Sequence, residues 1–439
     1  MRYLTVIYYD SFARFFAAIE DAVLNVDEDS KFLHLALFPS GWLLMKQLRR
    51  RTVLLPWAVH KTQPSKVAVS EEELDSIVRY HSAIAGIGTD HAMPHAAGLR
   101  TRAQRYVDTM AQIVDHFDPD VVLFSGDTRV ACESLAYYLN ASGSRAARYF
   151  FEQGPNGTTI FDSAGVNANA SFREELGKLT GQGFSPSGRV RRQKARRNPL
   201  YRGSDYAMIH ALRVARRLPP EWDTAALKKL DKRRYEQVLQ RVGTLSIDAE
   251  EVLVALQVPD DANNIHHNPL GFSDADVVRL ALDATEGLGL HVRVREHPLY
   301  RRRYSREMYS LLETSGRALL SSRSLDEDLE SARRVVTVNS TTGVDAYLRG
   351  RSVVVLGNAY YDHLPGILVA SDVESLRAAL TNTSSVGITG LQGRYIPAQI
   401  MAEFSDKYLI EGHYQDKEQV APGRIAVKLI HELPHDHST

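Results

Sequence analysis

Short runs of β-branched and aromatic residues alternate with helically spaced apolar positions along most of the chain. RYLTVIYY (2–9), KFLHLALF (31–38) and RTVLLPW (51–57) have the length and composition of strands. Apolar spacing near 3.6 predicts helices over 71–87 and 98–117, the second ending before Asp118-Pro119. VVLFSG (121–126) is a nearly continuous apolar run, as expected of a buried parallel strand. A helix over 129–139 and a strand, RYFFEQG (148–154), follow. Residues 183–204 change character, with seven Lys/Arg, no acid and several Gly, Pro and Ser, and read as a loop or mobile arm. Helical, basic sequence continues to about Val242.

From Glu250 the alternation restarts. EEVLVALQV, a helix over 274–287, HVRVREHP, a helix near 305–315, RRVVTVNS, a helix over 343–349 and SVVVLG succeed one another. Two successive α/β units with parallel-type strands predict two Rossmann-like domains facing each other, with working residues at the C-terminal strand edges. The expected division is an N-terminal domain over 1–245 that carries the basic loop 183–204, a C-terminal domain over 246–400, and a helix and tail over 401–439.

Composition agrees with a globular chain of this kind: 439 residues, 44% hydrophobic and 24% charged. The lone Cys132 excludes a disulfide framework and any multi-cysteine metal site, and is read as a core residue. Lys+Arg and Asp+Glu balance at 53 each, but unevenly: residues 1–245 carry 34 basic and 26 acidic side chains, residues 246–439 carry 19 and 27. No apolar run approaches the ~20 residues of a spanning helix. The N-terminus does not read as a signal peptide, so a cytoplasmic protein is expected.

Three constellations bear chemistry. In RRVVTVNSTTGVDAYLRGRSVVVLG (333–357) a strand runs into Asn339-Ser340-Thr341-Thr342-Gly343 and a short helix. Hydroxyls and free N–H groups at a helix start suit an anion, and also suit an ordinary N-cap. In HVRVREHPLYRRR (291–303) a strand ends in Glu296-His297-Pro298 with Arg301, Arg302 and Arg303 beyond; the imidazole suits a phosphate oxygen, or is a solvated turn residue. Acids close two further strands: Glu152 in E-Q-G with Gly154, and Asp260-Asp261 in QVPDDANN, which includes Gln257 and Asn263. Such carboxylates suit general acid/base or nucleophilic work, and are also common turn residues. Asp162 and Asn167 in FDSAGVN are turn residues that also suit a polyhydroxylated ligand. Gly126-Asp127 reads equally as a turn or a substrate contact. His266-His267 and the tail residues His431, His435 and His437 are not read as a metal site. The arginine-rich stretch, with Arg191, Arg192, Lys194, Arg196 and Arg197, is either a solvated loop or a surface for an anionic lipid headgroup.

FEQGPNGTTIFDSAGVNANASF (151–172), ALQVPDDANN (255–264), REHPLY (295–300) and VNSTTGVDAYLRGRSVVVLGNAYYDHLPGI (338–367) together resemble the capsule polysaccharide biosynthesis family, of the KpsS/LipB type. The resemblance runs from about residue 121 to 370. It implies a GT-B fold, with an acceptor-side N-terminal domain and a nucleotide-sugar domain after it. It also implies a glycosyltransferase that moves Kdo from CMP-Kdo to a (lyso)phosphatidylglycerol acceptor, starting a β-Kdo linker. Carried over by string, His297 with Pro298, and Asn339, Ser340, Thr341 and Gly343, would hold the CMP phosphate. Glu152 would be the general acid/base and Asp261 the nucleophile of a retaining double displacement. Gly154, Asp162, Asn167, Gln257, Asp260 and Asn263 would line the substrate site.

Two departures from the family pattern are Asn263, which stands where the pattern more often has Gln or Ser, and Gln153, in a variable slot of the E-x-G motif. No D-x-D motif appears within the matching strings, in keeping with a reaction that uses no metal or other cofactor. The implied setting is peripheral at the inner membrane, beside a lipid acceptor, a second Kdo transferase and the capsule ABC exporter; no nucleic-acid partner is expected. Other readings are a sialyltransferase-like or other nucleotide-sugar transferase, and a non-catalytic module of capsule assembly or export. A UDP-sugar 2-epimerase would be expected to show Ser-Gly-Gly where this chain has Ser340-Thr341-Thr342-Gly343.

Overall fold

The computed structural model describes residues 1–63, 67–86, 96–185, 198–214, 219, 222, 229–240, 250–382 and 397–432. Its strands are β1 (Arg2–Ile7), β2 (Lys31–Ala36), β3 (Thr52–Leu54), β4 (Val121–Ser125), β5 (Ala147–Gln153), β6 (Thr158–Asp162), β7 (Glu251–Ala255), β8 (His291–Arg295), β9 (Ala318–Leu320), β10 (Arg334–Thr337), β11 (Ser352–Val355), β12 (Ile367–Val369) and β13 (Leu409–Glu411). They form two sheets. The first has the order β13-β6-β5-β4-β1-β2-β3, the second β12-β11-β10-β7-β8-β9.

The second sheet is parallel throughout and carries the doubly wound order 3-2-1-4-5-6, its order reversing between β7 and β10. The first sheet repeats this as β3-β2-β1-β4-β5, with its reversal between β1 and β4. At such a reversal the flanking connections leave for opposite faces and open a crevice at the C-terminal strand ends, where ligands of this architecture bind. Two Rossmann-type domains are therefore present, as the alternation of strands and helices predicts.

The strands are apolar on both faces because both faces are covered. Leu4 and Val6 point into one core while Tyr3 and Ile7 point into another, as the two-residue period requires. The first of these cores runs on through Phe172, Tyr360 and Phe404 to Val335, Val353 and Val355 of the second sheet, so apolar packing joins the two domains. The far face of the second sheet has its own core around Val252, Val292 and Val336.

Several local expectations change. RTVLLPW is a strand only to Leu54; Pro56, free of a donor the first turn would not use, opens a helix over Leu55–Lys61. The strands are not all of parallel type: β6 runs antiparallel to β5, and β13 pairs antiparallel with β6. Residues 199–204 belong to the helix Pro199–Val214 rather than to a loop. The segment after 397 crosses back to the first domain, where β13 extends its sheet and the helix Val420–Glu432 packs on the helix Asp10–Leu24. The helix after β7 is placed by a capping box, Ser273 with Asp276, and spans Asp274–Ala284.

Candidate active site

A cleft of about 1140 Å³ lies where the two switch points face each other. From the first domain it receives Tyr8 and Tyr9 after β1, Ser125 to Arg129 after β4, and Glu152 to Gly157 after β5. From the second it receives Asp260 to Asn263 after β7, and Thr341, Val344 and Asp345 after β10.

Glu152 is half-buried at the end of β5, its Oε1 accepting the Gln153 N–H at 2.7 Å. Burial pushes its pKa up to about 7, the charges of Asp261 and Asp127 add to the rise, and Arg129 opposes it. Asp261 sits across the cleft in the loop after β7, and its Oδ1 accepts the Asn263 N–H at 2.8 Å, capping the short helix Ala262–His266. Its pKa is also raised, chiefly by desolvation in the cleft although the residue is exposed to it, with Asp260 adding repulsion and Arg129 and His297 opposing. Asp260 is bound differently: its main-chain carbonyl accepts the Tyr80 hydroxyl at 3.1 Å, and its carboxylate accepts the Tyr300 hydroxyl.

His297 follows β8, where its N–H donates to the Tyr304 hydroxyl at 2.9 Å and its Nδ1 accepts from the Leu299 N–H at 3.4 Å. With Nδ1 an acceptor, the ring proton of the neutral form resides on Nε2. Partial burial lowers the pKa and the Asp261 charge opposes that lowering. The result is an Nε2–H donor within electrostatic reach of Asp261, although His297 itself is not among the residues lining the cleft. Pro298 is exposed and opens the single turn Pro298–Tyr300 that fixes the imidazole.

After β10 the hydroxyls divide. Ser340 Oγ bonds the Thr342 hydroxyl and N–H, both at 3.2 Å. Thr341 makes no side-chain cap, is exposed, and lines the cleft. Gly154, Asn167 and Asn263 also line it. Asn167 holds a positive φ of 54°, which asparagine tolerates better than most residues.

Four residues expected to contact ligand have other duties. Asn339 is buried: its Nδ2 donates to the carbonyls of Asn263 and His267, each at 3.1 Å, and its Oδ1 accepts from Gln257 Nε2. Gln257 completes the pair by accepting the Asn339 N–H at 2.9 Å, so both amides are spent tying the Asp261 loop to β10. Gly343 serves packing rather than phosphate binding, since a Cβ there would collide with the Tyr361 hydroxyl, which donates to the Ser340 carbonyl. Asp162 is buried and accepts from the N–H groups of Ala164, Gly165 and Ser171 and from the Ser171 hydroxyl at 2.6 Å, holding its own turn. Arg191, Arg192, Lys194, Arg196 and Arg197 lie outside the described residues.

Other groups of the cleft had no place in the sequence reading. Tyr8, Tyr9, Phe12 and Phe38 form an aromatic wall in the first domain. Arg129 lies over the ring of Tyr80, 3.9 Å from its centroid. His413 and Asp416 arrive from the segment after β13. Asp127, left open between turn and contact, does turn work through Oδ2, which accepts from Val166 N and Asn169 Nδ2 at 3.0 and 2.9 Å, and also lines the cleft.

Two doubly wound domains with opposed carboxylates at the C-terminal edges of their sheets define the architectural class. Within it, residues 193–385 match the family described as capsule polysaccharide biosynthesis protein, so the resemblance read from the strings holds for this stretch. Protein FixF of Sinorhizobium fredii (strain NBRC 101917 / NGR234) is 27% identical over 339 residues, spanning 74% of this chain and 69% of that protein. Among solved structures, UDP-GlcNAc 2-epimerase from Neisseria meningitidis bound to UDP-GlcNAc is 11% identical at a TM-score of 0.33, covering 98% of this chain and 99% of that one. The β-Kdo 2,7 transferase KpsC of Thermosulfurimonas dismutans is 12% identical at a TM-score of 0.35, covering 83% and 97%. Both superpose loosely, and the two-domain architecture rests on the strand orders given above. Among the described residues no helix is long and apolar enough to cross a membrane.

Proposed function

We propose that the protein is a glycosyltransferase of capsular polysaccharide biosynthesis that transfers Kdo from CMP-Kdo to a (lyso)phosphatidylglycerol acceptor with retention. The observation that carries this reading is the opposition of Glu152 and Asp261 across one cleft, each at the C-terminal edge of a different doubly wound sheet. The capsule-family match over 193–385 supports it, as do the strings that surround both residues.

In this reading the Asp261 carboxylate attacks the anomeric carbon and forms an ester, while the bond from that carbon to the CMP phosphate breaks and its electron pair leaves with CMP. The Nε2–H of His297 and the Thr341 hydroxyl receive the leaving phosphate, with no metal or other cofactor invoked. Glu152, with a pKa of about 7, takes the proton of the incoming acceptor hydroxyl, whose oxygen displaces Asp261. Two inversions leave the configuration unchanged. The aromatic wall by Tyr8 and Phe12 lies on the acceptor side. A peripheral site at the inner membrane, next to a second transferase and the exporter, follows from the lipid acceptor.

A thermal-shift comparison of CMP-Kdo, CMP-sialic acid and UDP-GlcNAc tests the donor. Selective stabilisation by CMP-Kdo is expected. A shift with UDP-GlcNAc alone would move the protein to the epimerase-like reading, and no shift with any of them would favour the non-catalytic module.

A further inference from the structure

We propose that Arg129 is the carboxylate-recognition residue of the cleft, selecting a sugar acid as donor by pairing with the acid group carried on the reacting carbon. The inference rests on the transferase reading given above and extends it to what the site recognises.

Arg129 stands where the fold places ligands. It is the N-cap residue of the helix Val130–Ala141, immediately beyond β4, at the switch point between β1 and β4. Among the described residues lining the cleft it is the sole Lys or Arg, against six carboxylates that include Glu152, Asp260 and Asp261. No ion pair between its guanidinium and a carboxylate is found among the described residues, whereas two nearby arginines, Arg173 and Arg295, are each bound to an aspartate, and Arg303 lies over the Tyr300 ring. A guanidinium stays charged at every physiological pH, so a positive group without an ion-pair partner persists in the cleft.

The side chain is held in place. Its stacking partner Tyr80 is buried, and the Tyr80 hydroxyl reaches across to the Asp260 carbonyl at 3.1 Å. The guanidinium is thereby referenced to the loop that carries Asp261, although it belongs to the other domain. Its charge also opposes the rise of the Glu152 and Asp261 pKa values, which places both carboxylates within its electrostatic reach.

The chemistry explains why a cation is needed here. In a 2-keto sugar acid the anomeric carbon carries a carboxylate, so an attacking Asp261 would bring a second negative charge against the first. A guanidinium that forks onto the sugar carboxylate removes that repulsion and fixes the ring orientation. In the transferase reading the single phosphate of the donor is served from the second domain by His297 and Thr341, leaving the sugar acid as the anion on the Arg129 side. A neutral sugar would offer the guanidinium no ion-pair partner of its own.

Isothermal titration of the full chain with CMP and with CMP-Kdo tests this, using wild type, Arg129→Gln and Arg129→Lys. Wild type is expected to bind CMP-Kdo more tightly than CMP. Arg129→Gln should bind CMP within twofold of wild type, which also shows that it is folded, and lose tenfold or more in affinity for CMP-Kdo. Arg129→Lys should recover part of the loss, keeping the charge without the fork. Unchanged CMP-Kdo affinity in Arg129→Gln would overturn the assignment and leave the transferase reading intact. Equal loss of CMP and CMP-Kdo in both variants would place Arg129 at the phosphate and overturn it as well. A wild type that binds neither ligand would overturn the assignment together with the reading beneath it.

Discussion

Arg173 grips Asp362 across the seam between the two domains, with Nε and Nη2 bonding the two carboxylate oxygens at 2.8 and 2.6 Å. The Asp362 side chain is 2% exposed and also accepts the Ala359 N–H at 3.0 Å. Removing one partner of such a buried pair leaves the other charge unpaired, at a cost of about 3–5 kcal/mol. Arg173→Ala is therefore expected to lower stability by about that amount in chemical denaturation. The double variant Arg173→Ala/Asp362→Ala should lose less than Arg173→Ala alone.

Glu152 ties pH to both rate and stability. As an acceptor base it must be ionised, so transfer should rise with pH through about 7 and then level off. Stability runs the other way. The folded-state pKa lies above that of an exposed glutamate, so the folded protein holds its proton between about pH 4.3 and 7 while the unfolded chain has released it. That contribution is fully present below the unfolded pKa and is lost as pH rises through about 7. Glu152→Gln should abolish transfer, raise the melting temperature at pH 8 relative to wild type, and change it less the closer the pH comes to about 4.

The Asn339 and Gln257 amides position the Asp261 loop rather than bind the nucleotide. Asn339→Ala removes the Nδ2 bonds to the carbonyls of Asn263 and His267, which keep the N–H groups of His267 and Asn358, and leaves Gln257 Nε2 unmet, at a cost of about 1–3 kcal/mol. A fall in melting temperature is expected, with kcat falling further than the affinity for CMP. Retained kcat would remove the positioning role.

Gly343→Ala should destabilise the protein by about 1–3 kcal/mol, because the new methyl meets the Tyr361 ring and hydroxyl and overpacks a buried site. Thermal unfolding measures this directly.

Much of this was legible because buried parallel strands are short, apolar and sharply bounded. VVLFSG, HVRVREHP and RRVVTVNS announce β4, β8 and β10 and the polar loops after them. The order of strands within a sheet is a long-range property, and sequence patterns carry no direct mark of it. The switch points, and with them Arg129 and the Tyr8-Tyr9 wall, therefore had no decisive local signal: Gly126-Asp127 reads equally as a turn or a substrate contact. Asn339 misled for a related reason, since a polar residue at a strand end looks the same whether it faces ligand or another amide. β13 is three residues long inside a helical tail, too short for any period to register.

The central claim is met most directly by incubating purified protein with CMP-Kdo and a fluorescent lyso-phosphatidylglycerol, following CMP release and the product mass together. Wild type is expected to release CMP and to add Kdo to the lipid, with Asp261→Ala and His297→Ala both severely slowed. Unchanged rates in both variants, or a wild type that leaves CMP-Kdo and lipid unaltered, would contradict the account.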